Sequence, residues 1–181
     1  MRLSYVSGAS PDKWAKVWNL RHPEQPLRMW QLAEREQWAA LDANEAELAI
    51  VRLPDEPNAL SEARARGYAI ELYRERSVVV LPREHPFADE AQLRLADIAE
   101  LTLAPEQAEL ADTLALVAAG VGVAVLPMSE ARLHHRRDLV PIPLSDGAEW
   151  PVLLVWRADS ELVQDFVGIT RGRGPRSSRA S

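Results

Sequence analysis

The fold class is predicted by the opening stretch RLSYVSGASPDKWAKVWNLR, residues 2–21. Leu3 to Val6 alternate like a short strand, and the small residues 7–9 end it. Ser10 then precedes Pro11, the usual pairing of a helix N-cap with a proline at the first helical position. The helix continues in residues at helical spacing: Trp14, Val17, Trp18 and Arg21. The stretch therefore predicts a strand, a loop and a capped helix.

The next thirty or so residues repeat this order. Pro23 and Pro26 end the first helix, and residues 27–32 form a second predicted strand. Residues 34–44 have the pattern of a second helix, and the apolar run at 48–51 is a third strand. Three strands that alternate with two helices predict a parallel sheet with helices on its faces.

The alternation continues to the end of the chain, which makes the predicted fold class α/β. Further strands are predicted at 68–73, 77–81, 101–103, 121–126, 139–144 and 152–156. Further helices are predicted at 61–66, 95–100, 112–119 and 127–135, and after Ser160, which precedes an amphipathic segment. Gly120 lies where the helix over 112–119 would need a left-handed residue at its end.

Length and composition exclude several classes of protein. With 181 residues and 47% hydrophobic residues, the chain can form one domain or two small lobes. It has no cysteine, which excludes disulfides, iron–sulfur clusters and cysteine-based zinc sites. The start lacks a signal sequence and no apolar run approaches the length of a membrane span, so we expect a cytoplasmic protein without a membrane partner.

Charge is distributed unevenly along the chain. The net charge is −6, yet residues 171–181 carry four arginines and no acid, so the remaining residues carry −10. An acidic body argues against a nucleic-acid footprint over the whole surface. Residues 171–181 are rich in Gly, Pro, Ser and Arg, and we expect them to form a disordered basic tail.

Three motifs have simpler structural explanations. Gly120 and Gly122 follow a predicted helix instead of a strand, which is the wrong context for dinucleotide binding. Ser10 and Lys13 match the S-x-x-K pattern of serine acyl enzymes, but the companion motifs are missing. Glu130 and His134 could supply two metal ligands, without an evident third. We therefore predict no enzyme, no catalytic residues, no metal and no cofactor.

One segment has the features of a binding site. Ser7 to Ser10 form a loop at the carboxyl end of the first strand and lead into a helix N-terminus, where open α/β sheets bind ligands and where backbone N–H groups favour anions. Arg52 follows the third strand of the same sheet and could pair with a carboxylate or phosphate. The alternative for Arg52 is a surface arginine without a ligand, and the sequence leaves both open.

Four stretches in order resemble the effector-binding domain of LysR-type transcriptional regulators: Glu47–Val51, Val78–Ala88, Leu95–Ile98 and Leu116–Pro127. Three others resemble a subgroup of free-standing effector domains: Pro11–Trp14, Arg132–Arg136 and Phe166–Arg173. The resemblance extends from residue 2 to about residue 170.

The resemblance implies a type 2 periplasmic-binding-protein-like fold, with two Rossmann-like lobes joined by two crossover strands, here expected at 68–73 and 139–144. Lobe I would comprise residues 1–72 with 145–170, and lobe II residues 73–144. The second lobe should be shortened, because the family usually has a further helix and strand between Leu103 and Asp112.

The resemblance also implies a function, namely the sensing of a small molecule, commonly a carboxylate or other anionic effector, linked to transcriptional regulation. It implies a homodimer, and it adds Thr102 to the predicted ligand-binding residues Ser7, Ser10, Lys13 and Arg52. The family's helix-turn-helix is not recognisable before the first strand, so direct sequence-specific DNA binding by the usual route is not expected. The alternative is a protein or nucleic-acid interaction module with a vestigial cleft and a functional arginine-rich tail.

Overall fold

The computed structural model describes residues 1–54, 56 and 58–172. They form two compact units, the first comprising Met1–Tyr73 with the chain from Pro151 onward, and the second Arg74–Trp150. The predicted lobes differ from these units by one residue at the first boundary and by six at the second. Among the described residues, no helix is long and apolar enough to cross a bilayer.

The first unit begins with the predicted order of strands and helices. Its strands are β1 (Arg2–Val6), β2 (Arg28–Leu32) and β3 (Leu48–Arg52), with helix α1 (Asp12–Arg21) between the first two. A 3-10 helix (Glu34–Glu36) and helix α2 (Ala39–Asp42) lie between β2 and β3, followed by α3 (Ala59–Arg66). Strand β1 pairs in parallel with both β2 and β3. The predicted parallel sheet is therefore confirmed.

The chain leaves the first unit within β4 (Tyr68–Pro82) and returns within β7 (Glu149–Trp156). The strands predicted at 68–73 and 77–81 are therefore one continuous strand. Strand β7 pairs antiparallel with β3, and helix α7 (Glu161–Thr170) follows it and packs against α1. The second crossover, predicted at 139–144, is wrong, because that segment lies wholly inside the second unit as one of its sheet strands.

Both faces of the first unit's sheet are covered. Successive residues of β3 point to opposite faces, so that Ile50 contributes to one core and Val51 to the other. The first core includes Trp14 and Trp18 of α1, which are buried as the helical spacing predicts, together with Phe166 of α7. All five residues of β3 are buried, which is typical of a central strand between two layers of helices.

The second unit is built on the later half of β4. That segment pairs antiparallel with β5 (Ala124–Pro127) on one side and with β6 (Leu139–Pro143) on the other. Its helices are α4 (Leu95–Ile98), α5 (Leu110–Ala118) and α6 (Met128–Leu133). Instead of the strand predicted at 101–103, the structure has an isolated bridge between Leu103 and Val123.

Two predicted helix features differ from the structure. Ser10 is not the N-cap of α1, because Pro11 occupies that position and the Ser10 hydroxyl donates to the Asp12 carboxylate at 2.9 Å. The single helix predicted at 34–44 is interrupted after the 3-10 helix, and Gln37 in the interruption is buried. By contrast, Ser160 does cap α7, because its Oγ accepts a hydrogen bond from the Val163 N–H at 3.2 Å.

The predicted disordered tail lies mostly outside the described residues. Its first two residues are described, and both belong to the C-terminal turn of α7. The Arg171 N–H donates to the Val167 carbonyl at 3.2 Å and the Gly172 N–H to the Ile169 carbonyl at 3.0 Å. The predictions for the remaining arginines concern residues 173–181, outside the described part of the chain.

Candidate functional site

The loop after β1 is held at the carboxyl edge of the parallel sheet. The Ser7 N–H donates to the Leu32 carbonyl at the end of β2 (3.0 Å), and the Ala9 N–H donates back to the Val6 carbonyl (3.1 Å). Gly8 between them has φ +77°, a left-handed conformation that favours glycine. The loop therefore turns tightly and begins α1 beside the ends of β1 and β2.

Arg52 ends β3 at the same edge, and its side chain is fully buried. Its guanidinium donates from Nη1 to Oε2 of Glu34 at 3.0 Å and from Nη2 to the Ser7 carbonyl at 2.9 Å. The structure thus brings two predicted site residues, Ser7 and Arg52, into direct contact. Because Arg52 is buried, it is not the surface arginine that the sequence left open as an alternative. A buried guanidinium needs a charge partner and hydrogen bonds.

Gln37 holds the backbone of Arg52 in place. Its side-chain amide donates to the Arg52 carbonyl at 2.9 Å, and its Oε1 accepts from the Arg52 N–H at 2.7 Å. The amide side chain therefore satisfies both backbone groups of the last residue of β3, past Ile50, where the pairing of β1 with β3 ends. Because Glu34 and Gln37 belong to one short segment, that segment contacts both the side chain and the backbone of Arg52.

Sequence reasoning missed Glu34 and Gln37, because it placed both on one amphipathic helix. A signal for Glu34 was nevertheless available. Glu34 follows the carboxyl end of β2, just as Ser7 follows β1 and Arg52 ends β3. The carboxyl ends of parallel strands meet at one edge of a sheet, so the same rule that selected Ser7 and Arg52 applies to Glu34.

Ser10 and Lys13 are exposed and contact side chains of α1 itself. The Ser10 hydroxyl is bonded to Asp12, and the Lys13 ammonium lies 4.8 Å from the ring centre of Trp14 in a cation–π contact. Arg52, by contrast, is paired with the carboxylate of Glu34. An anionic ligand at Arg52 would therefore compete with a carboxylate that the chain itself supplies.

Thr102 lies in the second unit and is exposed. Its carbonyl accepts a hydrogen bond from the Val123 N–H at 2.9 Å. A Cβ added at Gly122 would lie 2.5 Å from that carbonyl oxygen, so the close approach of the two segments requires glycine there. Gly120, with φ +76°, ends α5 as predicted. The ligand contact of Thr102 stays a prediction.

The potential metal ligands in the second unit form a pair. His134 Nε2 lies 3.6 Å from Oε2 of Glu130, one helical turn earlier, and Glu130 is buried. Within the described ranges, no group of three His, Asp or Glu side chains is arranged to hold a metal ion.

Comparisons with known proteins agree on one family. Residues 13–107 and 104–174 match the model of the LysR substrate binding domain. No curated protein sequence matches the chain.

Solved structures of similar fold include those of the LysR-type regulators OxyR, CbnR and BenM. The Corynebacterium glutamicum OxyR C206S mutant with bound H2O2 is 20% identical with a TM-score of 0.70, over 94% of this chain and 65% of that one. Full-length CbnR in complex with its target DNA is 14% identical with a TM-score of 0.69, over 95% of this chain and 70% of that one. The BenM effector binding domain with benzoate is 16% identical with a TM-score of 0.68, over 100% of this chain and 98% of that one.

These similarities establish the fold at the level of the whole chain. At such low identity they show the two-lobed, periplasmic-binding-protein-like α/β fold, and the residues of the site are not carried over from them. The chain spans 65% of the length of the Corynebacterium glutamicum OxyR chain and 66% of that of full-length BenM.

Proposed function

Because the chain belongs to the family of LysR substrate-binding domains, which sense effectors in transcriptional regulators, we propose that it binds a small anionic effector. The observation that carries this proposal is the guanidinium of Arg52, buried at the carboxyl edge of a parallel sheet beside the Ser7 loop. Guanidinium groups recognise carboxylates and phosphates through paired hydrogen bonds. The family is regulatory, so the expected outcome of binding is a change in conformation or assembly and not a reaction.

The proposed contacts use the five residues selected from the sequence. Arg52 would supply the positive charge, and Ser7 the hydroxyl next to it. Ser10 and Lys13, on the exposed start of α1, would contact the outer part of the ligand. Thr102 would add a hydroxyl from the second unit.

A homodimer is part of the proposal, as the family resemblance implies. We expect the chain to have the mass of a dimer in solution at micromolar concentration. Light scattering coupled to size-exclusion chromatography measures this mass directly, and a monomer at every concentration would contradict the dimer.

A thermal-shift screen tests the proposed ligand class. Small carboxylates and phosphates are added at constant ionic strength against sodium chloride, which separates specific binding from general salt effects. An effector present at about 100 times its Kd stabilises the folded state by about 2.7 kcal/mol, which is roughly 5–10 °C in Tm for a domain of this size.

The matched variants are Arg52→Lys and Arg136→Lys. Each keeps one positive charge and removes a guanidinium, but Arg136 is an exposed residue of the second unit that pairs with Asp138. We expect Arg52→Lys to lose the stabilisation and Arg136→Lys to keep it, because lysine lacks the planar pair of donors. A panel in which no anion raises Tm, or an Arg52→Lys variant that responds like the wild type, would contradict the proposal.

A further inference from the structure

Glu34 and Arg52 form an ion pair whose two members differ strongly in exposure. The Arg52 side chain is 0% exposed, whereas that of Glu34 is 43% exposed. A wholly buried cation is therefore bonded to a carboxylate that solvent reaches. A carboxylate that arrives from solution can approach the place of the Glu34 carboxylate without unfolding the strands around Arg52.

The Glu34 carboxylate makes fewer hydrogen bonds to Arg52 than a carboxylate can make to an arginine. Glu34 accepts one hydrogen bond, through Oε2 from Nη1 of Arg52. In the second unit, Asp138 accepts from both Nε and Nη2 of Arg136 through its two oxygens, at 3.0 and 2.8 Å. Two parallel hydrogen bonds of that kind are the stronger arrangement for an arginine and a carboxylate. The Glu34 contact, with its single hydrogen bond, is therefore the weaker of the two arrangements.

Glu34 is nevertheless held close to Arg52 by the chain. Gln37, three residues later, is bonded to both backbone groups of Arg52, which fixes the 3-10 helix beside the end of β3. A tethered group competes with a free ligand at an effective concentration on the order of millimolar or higher. Any anion that binds Arg52 must overcome this internal competitor.

We propose that Glu34 is an internal carboxylate that occupies the anion subsite of Arg52 and is displaced when an effector carboxylate binds. The proposal rests on the function proposed above and specifies how its site is regulated. An effector would exchange its own carboxylate for that of Glu34, and the exposed 3-10 helix would be released from the Arg52 side chain while Gln37 keeps Arg52 in position. The weak competitor sets a threshold, so that common small anions do not occupy the site at low concentration.

Acetate is the probe for this exchange, measured by thermal shift while acetate replaces chloride at constant ionic strength. Glu34→Ala removes the internal carboxylate, and Glu36→Ala on the same 3-10 helix removes the same charge from an exposed side chain that pairs with Arg35. We expect Glu34→Ala to bind acetate at least about tenfold more tightly than the wild type and Glu36→Ala, as loss of a tethered competitor requires. Equal acetate responses of the two alanine variants would overturn the proposal.

Two further variants keep the test decisive. Glu34→Gln retains the size of the side chain and replaces Glu34→Ala if the latter does not fold; we expect a smaller acetate gain in the same direction, and no gain would overturn the proposal. In Glu34→Ala combined with Arg52→Lys, the gain should disappear, and its persistence would show that acetate binds elsewhere. If Glu34→Ala gains acetate binding while the effector screen on the wild type finds nothing, the subsite stands and the proposed function fails.

Discussion

Two arginine–carboxylate pairs in this chain have similar distances and opposite surroundings. Arg52 and Glu34 lie 3.0 Å apart at the end of a buried strand, and Arg136 and Asp138 lie 2.8 Å apart in the turn between α6 and β6. The Arg52 side chain is 0% exposed, whereas the side chains of Arg136 and Asp138 are 41% and 53% exposed. Distance alone therefore does not distinguish a pair built on a buried guanidinium from a pair in which both side chains are exposed to solvent.

Burial therefore determines how much an ion pair contributes to the stability of the fold. A guanidinium removed from water must have its charge and its donors satisfied by the protein, so the fold depends on the groups that meet Arg52. An exposed pair gains little because water and salt compete for both ions.

Arg52→Ala should be the most destabilising change. It removes a buried cation and its aliphatic stem, leaves a cavity and breaks the link between β3, the Ser7 loop and the 3-10 helix. We expect a loss of at least about 3 kcal/mol in the free energy of unfolding. Urea denaturation measures this loss, with Arg136→Ala as the control that should change the midpoint only slightly, because its pair with Asp138 is exposed. Similar urea midpoints for Arg52→Ala and Arg136→Ala would contradict the expected difference between the buried and the exposed arginine.

Gln37→Ala should have a smaller effect that is still distinct. The amide of Gln37 satisfies the N–H and the carbonyl of Arg52, and its loss leaves two buried backbone groups without that partner. We expect a cost of about 2 kcal/mol in the free energy of unfolding. Gln31→Ala, at an exposed position of edge strand β2, is the control and should cost much less. A Gln37→Ala variant as stable as Gln31→Ala would show that the strand end does not depend on the amide.

Arg136→Gln should change the pKa of Asp138 and leave the stability of the fold almost unchanged. Hydrogen bonds from the Arg136 guanidinium hold the pKa of the Asp138 carboxyl below its ordinary value of 3.8. In the variant this pKa should rise towards 3.8, which NMR titration of the carboxyl group can follow. Arg132→Gln, an exposed arginine of α6, is the control and should leave the pKa of Asp138 unchanged. An Asp138 pKa unaffected by Arg136→Gln would mean that the pair does not form in solution.

The Arg136–Asp138 pair also determines how one contribution to stability changes with pH. Because the pKa of Asp138 is lower in the folded state, the pair's contribution to stability is present above about pH 3.8 and is lost as pH falls through the folded-state pKa. The pKa of Glu47 is also lowered in the folded state, so its contribution to stability is likewise lost as pH falls. Burial alone would raise its pKa, but hydrogen bonds from the side chain and backbone N–H of Arg2 outweigh that effect and hold it below 4.5.

Much of the fold could be predicted from the sequence because the signals are local. The capping serine before α7, the glycine that ends α5 and the apolar run of β3 each depend on a few neighbouring residues. The two errors have different causes. Ser10 has the sequence context of an N-cap, but its hydroxyl donates to the Asp12 carboxylate and accepts no capping hydrogen bond from a backbone N–H. The helix predicted over 34–44 failed because Gln37 bonds to β3, a contact that no helical periodicity records.

The candidate site was predicted only in part. Ser7 and Arg52 were selected because parallel strands bring their carboxyl ends to one edge, and the structure does bring the two into contact. That Arg52 is buried and paired with Glu34 could not be derived, since either a surface or a buried guanidinium is compatible with a position after a strand. Glu34 and Arg52 are 18 residues apart in sequence and meet across the sheet edge.

The α/β class, the alternation of strands and helices up to β3 and the two strand ends that carry Ser7 and Arg52 could be predicted from the sequence, because hydrophobic period and turn residues act over short distances. Three features become visible in the tertiary structure: the burial of the Arg52 guanidinium, its pairing with Glu34 and the hydrogen bonds of Gln37 to its backbone. These contacts depend on the register of β2, β1 and β3 and on the path of the segment between β2 and β3. The physical reason is that burial and charge pairing are properties of groups brought together across the sheet, which no local pattern encodes.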